Sequence, residues 1–362
     1  MWPYWLIFLI PALLALRESA RHRVLVNAWN QPLFKMPNIW WFVLIFLASL
    51  IGWRYQVGGD WGNYLINFER ALYLSDTFEW WSDDPGYRFL EWFSLQTGWG
   101  IFGVNLVGGF VFSLGVVVFC RHLPRPWLAL AVSVPYLVII LGMGYSRQGI
   151  ALGLAMIGLA ALGRGQVAKF VFWTLVGALF HKSAVVLLPV AALAASRRRI
   201  ISAMWVGVVI LVAYVTLLQD SVERLTTGYL DAGYQSQGAL IRLVMNALPA
   251  ALLLWRQNRF AVTLPQERLW FWLALAAIAL VGLYYVSPSS SAVDRIGLYL
   301  LPLQLMVFSY LPEVLGSRRG NNSIWVVAVL TYYATVEFVW LNYANHSLAW
   351  IPYKFYPFEV LF

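Results

Sequence analysis

FVFWTLVGALFHKSAVVLLPVAALAA, residues 170 to 195, is the stretch on which the topology of this chain turns. Read as one helix, its 26 residues cross a membrane once. Read as two short helices meeting at His181 and Lys182, they enter and leave on the same side. A perpendicular helix needs about 20 apolar residues to cross roughly 30 Å of hydrocarbon, so length alone allows either. Charge decides. With the hairpin, one side of the membrane receives 16 of the 25 basic residues and only Glu18, Glu267 and Glu313 as acids, while the other keeps 9 basic and 13 acidic residues. With a single helix everything downstream flips: Arg224, Arg242, Arg295 and Lys354 move inside, and the other eight basic residues from Arg197 to Arg319 move outside, against the positive-inside rule. The hairpin therefore predicts twelve segments with both termini outside.

Working outward, the apolar windows are Trp2 to Leu16, Ile39 to Trp53, Ile101 to Phe119, Trp127 to Leu141, Gln148 to Leu162, Phe170 to Phe180, Ala184 to Ala195, Ile201 to Leu218, Ala239 to Trp255, Leu269 to Val286, Ile296 to Leu311 and Ile324 to Leu341. Several are shorter than a full crossing, so short or re-entrant helices are expected, with irregular backbone lining a water-filled cavity. The composition agrees: 61% of the 362 residues are hydrophobic and 11% charged, against roughly 25% charged in soluble domains. The expected fold is all-α, a polytopic transmembrane helical bundle forming one membrane domain over residues 1–362. The net charge of +9 follows the side bias and implies no nucleic acid. Trp2 to Leu16 has its basic cluster behind it (Arg17, Arg21, Arg23), the reverse of a cleavable signal, and is expected to be a retained first helix. The single Cys120 excludes an internal disulfide and a cysteine metal cluster. No metal or other cofactor is expected.

Residues 54–100 form the largest outside segment, rich in acids and in aromatics at roughly helical spacing, which predicts amphipathic helices at the outer interface. Residues 219–238 form a second, polar outside loop carrying Gly228, Tyr229, Gly233 and Tyr234.

The hairpin topology gathers ionisable residues at the outer ends of apolar segments: Asp60, Arg147, His181, Lys182, Asp294 and Arg295. Charges near a membrane interior cost a few kcal/mol each on insertion scales and mark polar cavities with a function. Arg147, in Ser146-Arg147-Gln148 after Gly142-Met-Gly-Tyr145, sits at a helix start, where guanidinium and free backbone N–H groups together suit a multivalent anion such as pyrophosphate; the alternative is an arginine reaching for the interface. In His181-Lys182-Ser183 the lysine could bind phosphate and the imidazole accept a hydroxyl proton, whereas an isolated buried histidine is more often structural. Asp294-Arg295 is either a local capping pair or a second cationic contact in which Asp294 orients Arg295. Gly58-Gly-Asp60-Trp-Gly-Asn-Tyr64 and Asp84-Pro-Gly-Tyr87-Arg88, with Glu91 beyond, place carboxylates beside aromatic faces, as sugar sites do; for Asp60 the alternative is a helix N-cap. The sequons at Asn321 and Asn345 carry no weight, and Gly149-xxx-Gly153 is a helix-packing signal. Walker, Rossmann, HExxH and GxSxG motifs are absent, which argues against ATP-driven transport and the familiar hydrolases.

In order and spacing, Gly59-Asp60 with Tyr64, Asp84 with Gly86-Tyr87, Arg147-Gln148-Gly-Ile-Ala151, His181-Lys-Ser-Ala184, the Gly238 to Arg242 helix start, Asp294-Arg295 with Tyr299, and Ile351-Pro-Tyr-Lys354 resemble the EpsG-like, Wzy-type bacterial polysaccharide polymerases over nearly the whole chain. The resemblance implies a metal-independent glycosyltransferase of the bacterial plasma membrane, its active site facing the periplasm or exterior, with a fold akin to the lipid-sugar-using GT-C-type enzymes. It would transfer a growing glycan from undecaprenyl pyrophosphate to the non-reducing-end hydroxyl of another lipid-linked repeat unit in exopolysaccharide, capsule or O-antigen synthesis. Expected partners are undecaprenyl-pyrophosphate-linked repeat units, membrane lipids, a chain-length regulator and a flippase. On that basis Arg147 and Arg295 bind pyrophosphate with Lys182 in support, His181 or Asp60 activates the acceptor, and Tyr64, Tyr87, Asp84 and Asp294 contact sugar.

Other classes remain open. An O-antigen-type ligase shares donor and cationic site, though a large outside loop in the second half would suit it better. A lipid-linked sugar flippase or transporter would carry charges through the full membrane depth and often an internal repeat. A membrane acyltransferase would pair a histidine with a nearby acid.

Overall fold

The computed structural model describes residues 1–18, 33–73, 84–194, 199–218, 235–317 and 322–359. Arg21, Arg23, Arg197, Arg198, Arg318, Arg319 and Asn321, and residues 219–234 of the second loop, lie outside them, as do Asp76, Glu79 and Asp83.

Over its described residues each of the twelve apolar windows is helical, apart from Trp53 at the end of the second. The elements are α1 (Trp2–Arg17), α2 (Asn38–Gly52), α3 (Trp61–Tyr73), α4 (Pro85–Gln96), α5 (Gly100–Arg121), α6 (Pro126–Ser133), α7 (Ser146–Leu162), α8 (Val167–Phe180), α9 (Leu188–Ala194), α10 (Arg199–Ala213), α11 (Ala239–Trp255), α12 (Leu264–Val286), α13 (Ser290–Gly297), α14 (Leu301–Leu315), α15 (Ser323–Tyr343) and α16 (Tyr356–Glu359). A π-helix, Val134–Gly142, prolongs α6, and a 3₁₀ turn, Leu298–Leu300, joins α13 to α14. Among the described residues there are no strands, only an isolated bridge between Arg54 and Phe355. Among the described residues, four runs are long and apolar enough to cross a membrane: α5, α12, the continuous Ser290–Leu315 and α15.

The 170–195 stretch is a hairpin. Helix α8 stops at Phe180, His181 is extended (φ −158°, ψ 111°), and the 3₁₀ turn Lys182–Leu187 leads into α9. Side-chain contacts group several of the helix ends at two ends of the bundle. At one end, Arg54 after α2 reaches Ser146 at the start of α7, and Asp84 before α4 meets His181. At the other end, Arg121 donates to the carbonyls of Leu33 and Lys35, Arg125 pairs with Glu313 and donates to the Glu18 carbonyl, and Arg164 meets His122.

Helix α7 is the axis of the bundle. Every residue from Gln148 to Leu162 is buried, the state of a helix that is apolar all round. Small residues allow its neighbours in: a Cβ on Gly115 of α5 would collide with the Gly153 carbonyl, and one on Gly177 of α8 would lie 2.9 Å from the Ala151 carbonyl. The close contact thus belongs to Gly153; Gly149 has ordinary clearance. Within 54–100, α3 and α4 form a cap whose Tyr64, Phe68, Tyr87 and Leu90 pack on Ile101, Val104, Ile150 and Leu154 of α5 and α7.

The chain's last stretch seals the same end. The Trp350 carbonyl accepts from the Tyr4 hydroxyl at 2.6 Å, and its indole N–H donates to the Ile139 carbonyl at 2.9 Å. A Cβ on Gly144 would lie 2.5 Å from the Trp350 ring, and Gly58, at φ +108°, has no room for one against the Met143 carbonyl. Gly144→Ala is accordingly expected to cost about 1–3 kcal/mol of stability by overpacking, read as a lower melting temperature of the purified protein; a melt unchanged from wild type would show that the ring moves aside freely.

Candidate active site

Asp84 holds the N-cap position of α4, yet its side chain makes no capping bond there. It reaches away from its own helix. Its Oδ2 accepts from Arg147 Nη1 at 3.1 Å and lies 3.4 Å from His181 Nδ1, and its Oδ1 accepts from the Lys182 backbone N–H at 3.2 Å. That N–H opens the 3₁₀ turn, so it would lack a partner if Asp84 did not supply one. One carboxylate thus fixes the start of α7 to the α8–α9 turn. Burial alone would raise its pKa, but the hydrogen bond and charge of His181, the Arg147 guanidinium and the Lys182 N–H outweigh burial and hold it below the ordinary aspartate range.

Arg147 is the second residue of α7, and about a third of its side chain is open (35%) against 8% for Asp84. Tyr64 and Tyr87 flank it, each ring centroid 5.9 Å from the guanidinium carbon, and the Tyr64 hydroxyl lies 3.5 Å from the Arg147 backbone N–H. Both rings are buried, at 7% and 3% exposure, and present a face to Arg147 where a sugar-stacking role would keep it open. Beside them is a polar cavity of about 60 Å³ lined by Tyr64, Asn67, Asp84, Tyr87, Glu91 and Arg147, among others. Among the described residues the Tyr87 hydroxyl has no hydrogen-bond partner. The cavity has room for water or a small polar group.

Asp60 and Arg295 complete the cluster. Asp60 is desolvated enough to lift its carboxyl above the ordinary value, although the charges of Arg295 and Arg147 and a hydrogen bond from Asn63 pull the other way. Arg295 is tied to α7 through its backbone carbonyl, which accepts from Gln148 Nε2 at 2.8 Å. The 3₁₀ turn is tied to Tyr299 through Ser183, oxygen to oxygen at 3.0 Å.

The structure gives Asp294 a different partner from the one expected. It does not orient Arg295; its carboxylate accepts from Arg242 Nε and Nη2 at 2.7 and 2.6 Å and from the Ser236 hydroxyl at 2.9 Å. An i,i+1 pair on a helix points in diverging directions, so a residue on another helix takes the carboxylate. His181 stands beside Asp84, at the wall of the cluster, and is not among the residues lining the small cavity.

The sequence reading gave no role to three charged residues. Arg242, in α11, is the cation that Asp294 pairs with. Arg54, 1% exposed, donates to the Ile51 and Val57 carbonyls, to Asn105 and to Ser146. Glu337 sits within the window Ile324 to Leu341 at 1% exposure, with no hydrogen-bond partner for either oxygen among the described residues. A carboxylate inside an apolar window was the signal for Glu337; Arg242 stood at the end of the Gly238 to Arg242 helix start, and Arg54 had no signal beyond being a basic residue on the acid-rich side.

Fold and site together define a membrane protein that is helical throughout its described residues, with a cluster of arginines, carboxylates and a histidine where helix ends converge. A family model of the EpsG family matches residues 38–355, and the chain belongs to that family. Membership makes it a polysaccharide-polymerase-like membrane protein. No curated protein and no solved structure matches the chain.

Proposed function

We propose that this protein is a polysaccharide polymerase that transfers a growing glycan from undecaprenyl pyrophosphate to the non-reducing-end hydroxyl of a second lipid-linked repeat unit, at the outer face of the bacterial plasma membrane. The observation that carries this reading is the Asp84-centred cluster, which fixes Arg147 at a helix N-terminus while leaving a third of its side chain open. In the transfer the acceptor O–H bond and the sugar C–O bond to pyrophosphate break, a glycosidic C–O bond forms, the proton goes to a base and the pyrophosphate leaves. Arg147 and Arg295, supported by Lys182, would stabilise the charge growing on that leaving group; preorganised charge of this kind is commonly the largest catalytic contribution. A leaving group already so stabilised asks for no metal.

The two carboxyls suit different tasks. Asp84 is held ionised by its three donors and keeps cations in place, whereas desolvation makes Asp60 the better proton acceptor. Asp60 is therefore preferred to His181 as the base. The positive-inside bias supports the outward orientation.

The test is the lipid-linked glycan profile of cells making Arg147→Ala at wild-type protein level. Long polymer should disappear while single repeat units on lipid carrier accumulate. Normal polymer would remove Arg147 from the site, and full-length polymer left unattached to its final acceptor would indicate a ligase.

A further inference from the structure

At the end of the bundle opposite the candidate site, the approach to α2, the α7–α8 turn and the first turns of α8 enclose an open groove of about 550 Å³. Its walls are apolar: Leu33, Phe34, Phe172 and Trp173. Phe34 and Phe172 are 44% and 57% exposed, and Phe34 meets Trp173 edge-on with ring centroids 6.3 Å apart. Its rim carries Arg164 and Lys169, and among the described residues none that lines it is acidic. A third cation stands close by, since Arg121 donates to the carbonyls of Leu33 and Lys35. Burial and the like charge of Arg121 lower the pKa of Arg164, so positive charge is crowded here. In the same groove the side-chain carbonyl of Gln166 is buried without a hydrogen-bond partner among the described residues.

We propose that this groove binds one anionic diacyl phospholipid of the leaflet opposite the candidate site, with its phosphate on Arg164 and Lys169 and one acyl chain laid along Phe34, Phe172 and Trp173. The pairing of features selects the occupant. A free phosphate would match the charge of the rim but leave the aromatic wall uncovered. A zwitterionic lipid would cover the wall but bring a quaternary ammonium toward two cations. An anionic lipid does both, and the leaflet on a protein's basic side is where basic pockets between helices bind such headgroups. The volume falls in the range of about 300–1,000 Å³ usual for ligand sites.

The position gives the lipid a lever. The α7–α8 hairpin has its turn at this groove, and its two far ends carry Arg147 and His181. A lipid seated on the turn would brace the hairpin from below. The binding claim itself does not depend on the proposed polymerase activity.

The test uses the purified full chain, stripped of lipid and then offered equimolar phosphatidylglycerol and phosphatidylcholine, with retained lipid counted by native mass spectrometry. Wild type should retain phosphatidylglycerol preferentially. Lys169→Gln, at an exposed position that leaves folding untouched, should lower that preference about fivefold, the equivalent of about 1 kcal/mol per surface cation. Adding Arg164→Gln should remove it. Phe172→Asn should lower total retention of either lipid without changing the preference between them. Equal retention of the two lipids by wild type would overturn the proposal, as would a preference that survives the Arg164→Gln/Lys169→Gln double variant.

Discussion

Asp84→Asn is expected to fold and to lose most polymer synthesis, and Asp84→Ala to lose both activity and stability. Asparagine keeps the shape and one carbonyl acceptor but loses the charge that three donors share: Arg147 Nη1, His181 Nδ1 and the Lys182 N–H. Alanine removes the acceptor that all three share. A hydrogen bond to a charged group is worth about 1.5–3 kcal/mol, and because Arg147 is partly open to solvent the lower end applies to that bond. The effect on catalysis should be larger. Arg147 would no longer be locked against the α8–α9 turn, and loss of a positioned charge-stabilising donor typically costs about 10²–10³ in rate. The measurement is polymer yield per folded molecule, with a thermal melt as control. Wild-type polymer from Asp84→Asn would show that the carboxylate does not organise the site.

Acid should erase the same contribution. The folded-state carboxyl titrates below its ordinary value, so the stability it adds is present in full above that ordinary value, about 3.9 for aspartate, and is lost as pH falls through the depressed one. The melting-temperature gap between wild type and Asp84→Asn should therefore stay level from neutral pH down to the ordinary aspartate value and close only below it. A gap that narrowed between neutral pH and that value would mean that Asp84 is not held charged.

The difference between what was legible in the chain and what was not is one of sequence distance. The helices were legible because each is a local apolar run, and the hairpin at His181 was legible because side-specific charge is a sum over the whole chain. The cationic members of the site were legible because a charge at the end of an apolar run costs too much to be there idly. Pairing was not. Asp84 meets its partners across 63 and 97 residues, and Asp294 meets Arg242 across 52. A carboxylate before proline at a helix start looks like any cap; only the fold shows that this one leaves its own helix uncapped. The π-helix after α6 was equally silent, since Val134 to Gly142 is as apolar as any α-helical window beside it.

Arg54→Lys is expected to keep the charge and the fold and still lose polymer synthesis about 10²-fold, the cost of roughly 1 Å of misplacement at a reacting group. The guanidinium is buried, and its acceptors are all neutral: the Ile51 carbonyl at 2.5 Å, the Val57 carbonyl at 3.2 Å, Asn105 Oδ1 at 3.2 Å and Ser146 Oγ at 2.7 Å. Its flat face stands 5.7 Å from the Trp61 ring. Ser146 precedes Arg147, so this fork sets where α7 begins relative to α2 and α5. An ammonium is a point charge with three donors and cannot span four acceptors arranged for a planar fork. Arg54→Met removes the charge too and leaves those acceptors unpaired, at about 1–3 kcal/mol for each one that water cannot reach, so it should fail to accumulate. The lysine variant is the informative one because it separates position from folding. If it melts like wild type yet makes little polymer, and Ser146→Ala shows the same defect more weakly, Arg54 acts by placing Arg147. Full polymer from a stably folded Arg54→Lys would mean that the start of α7 is held by its packing alone.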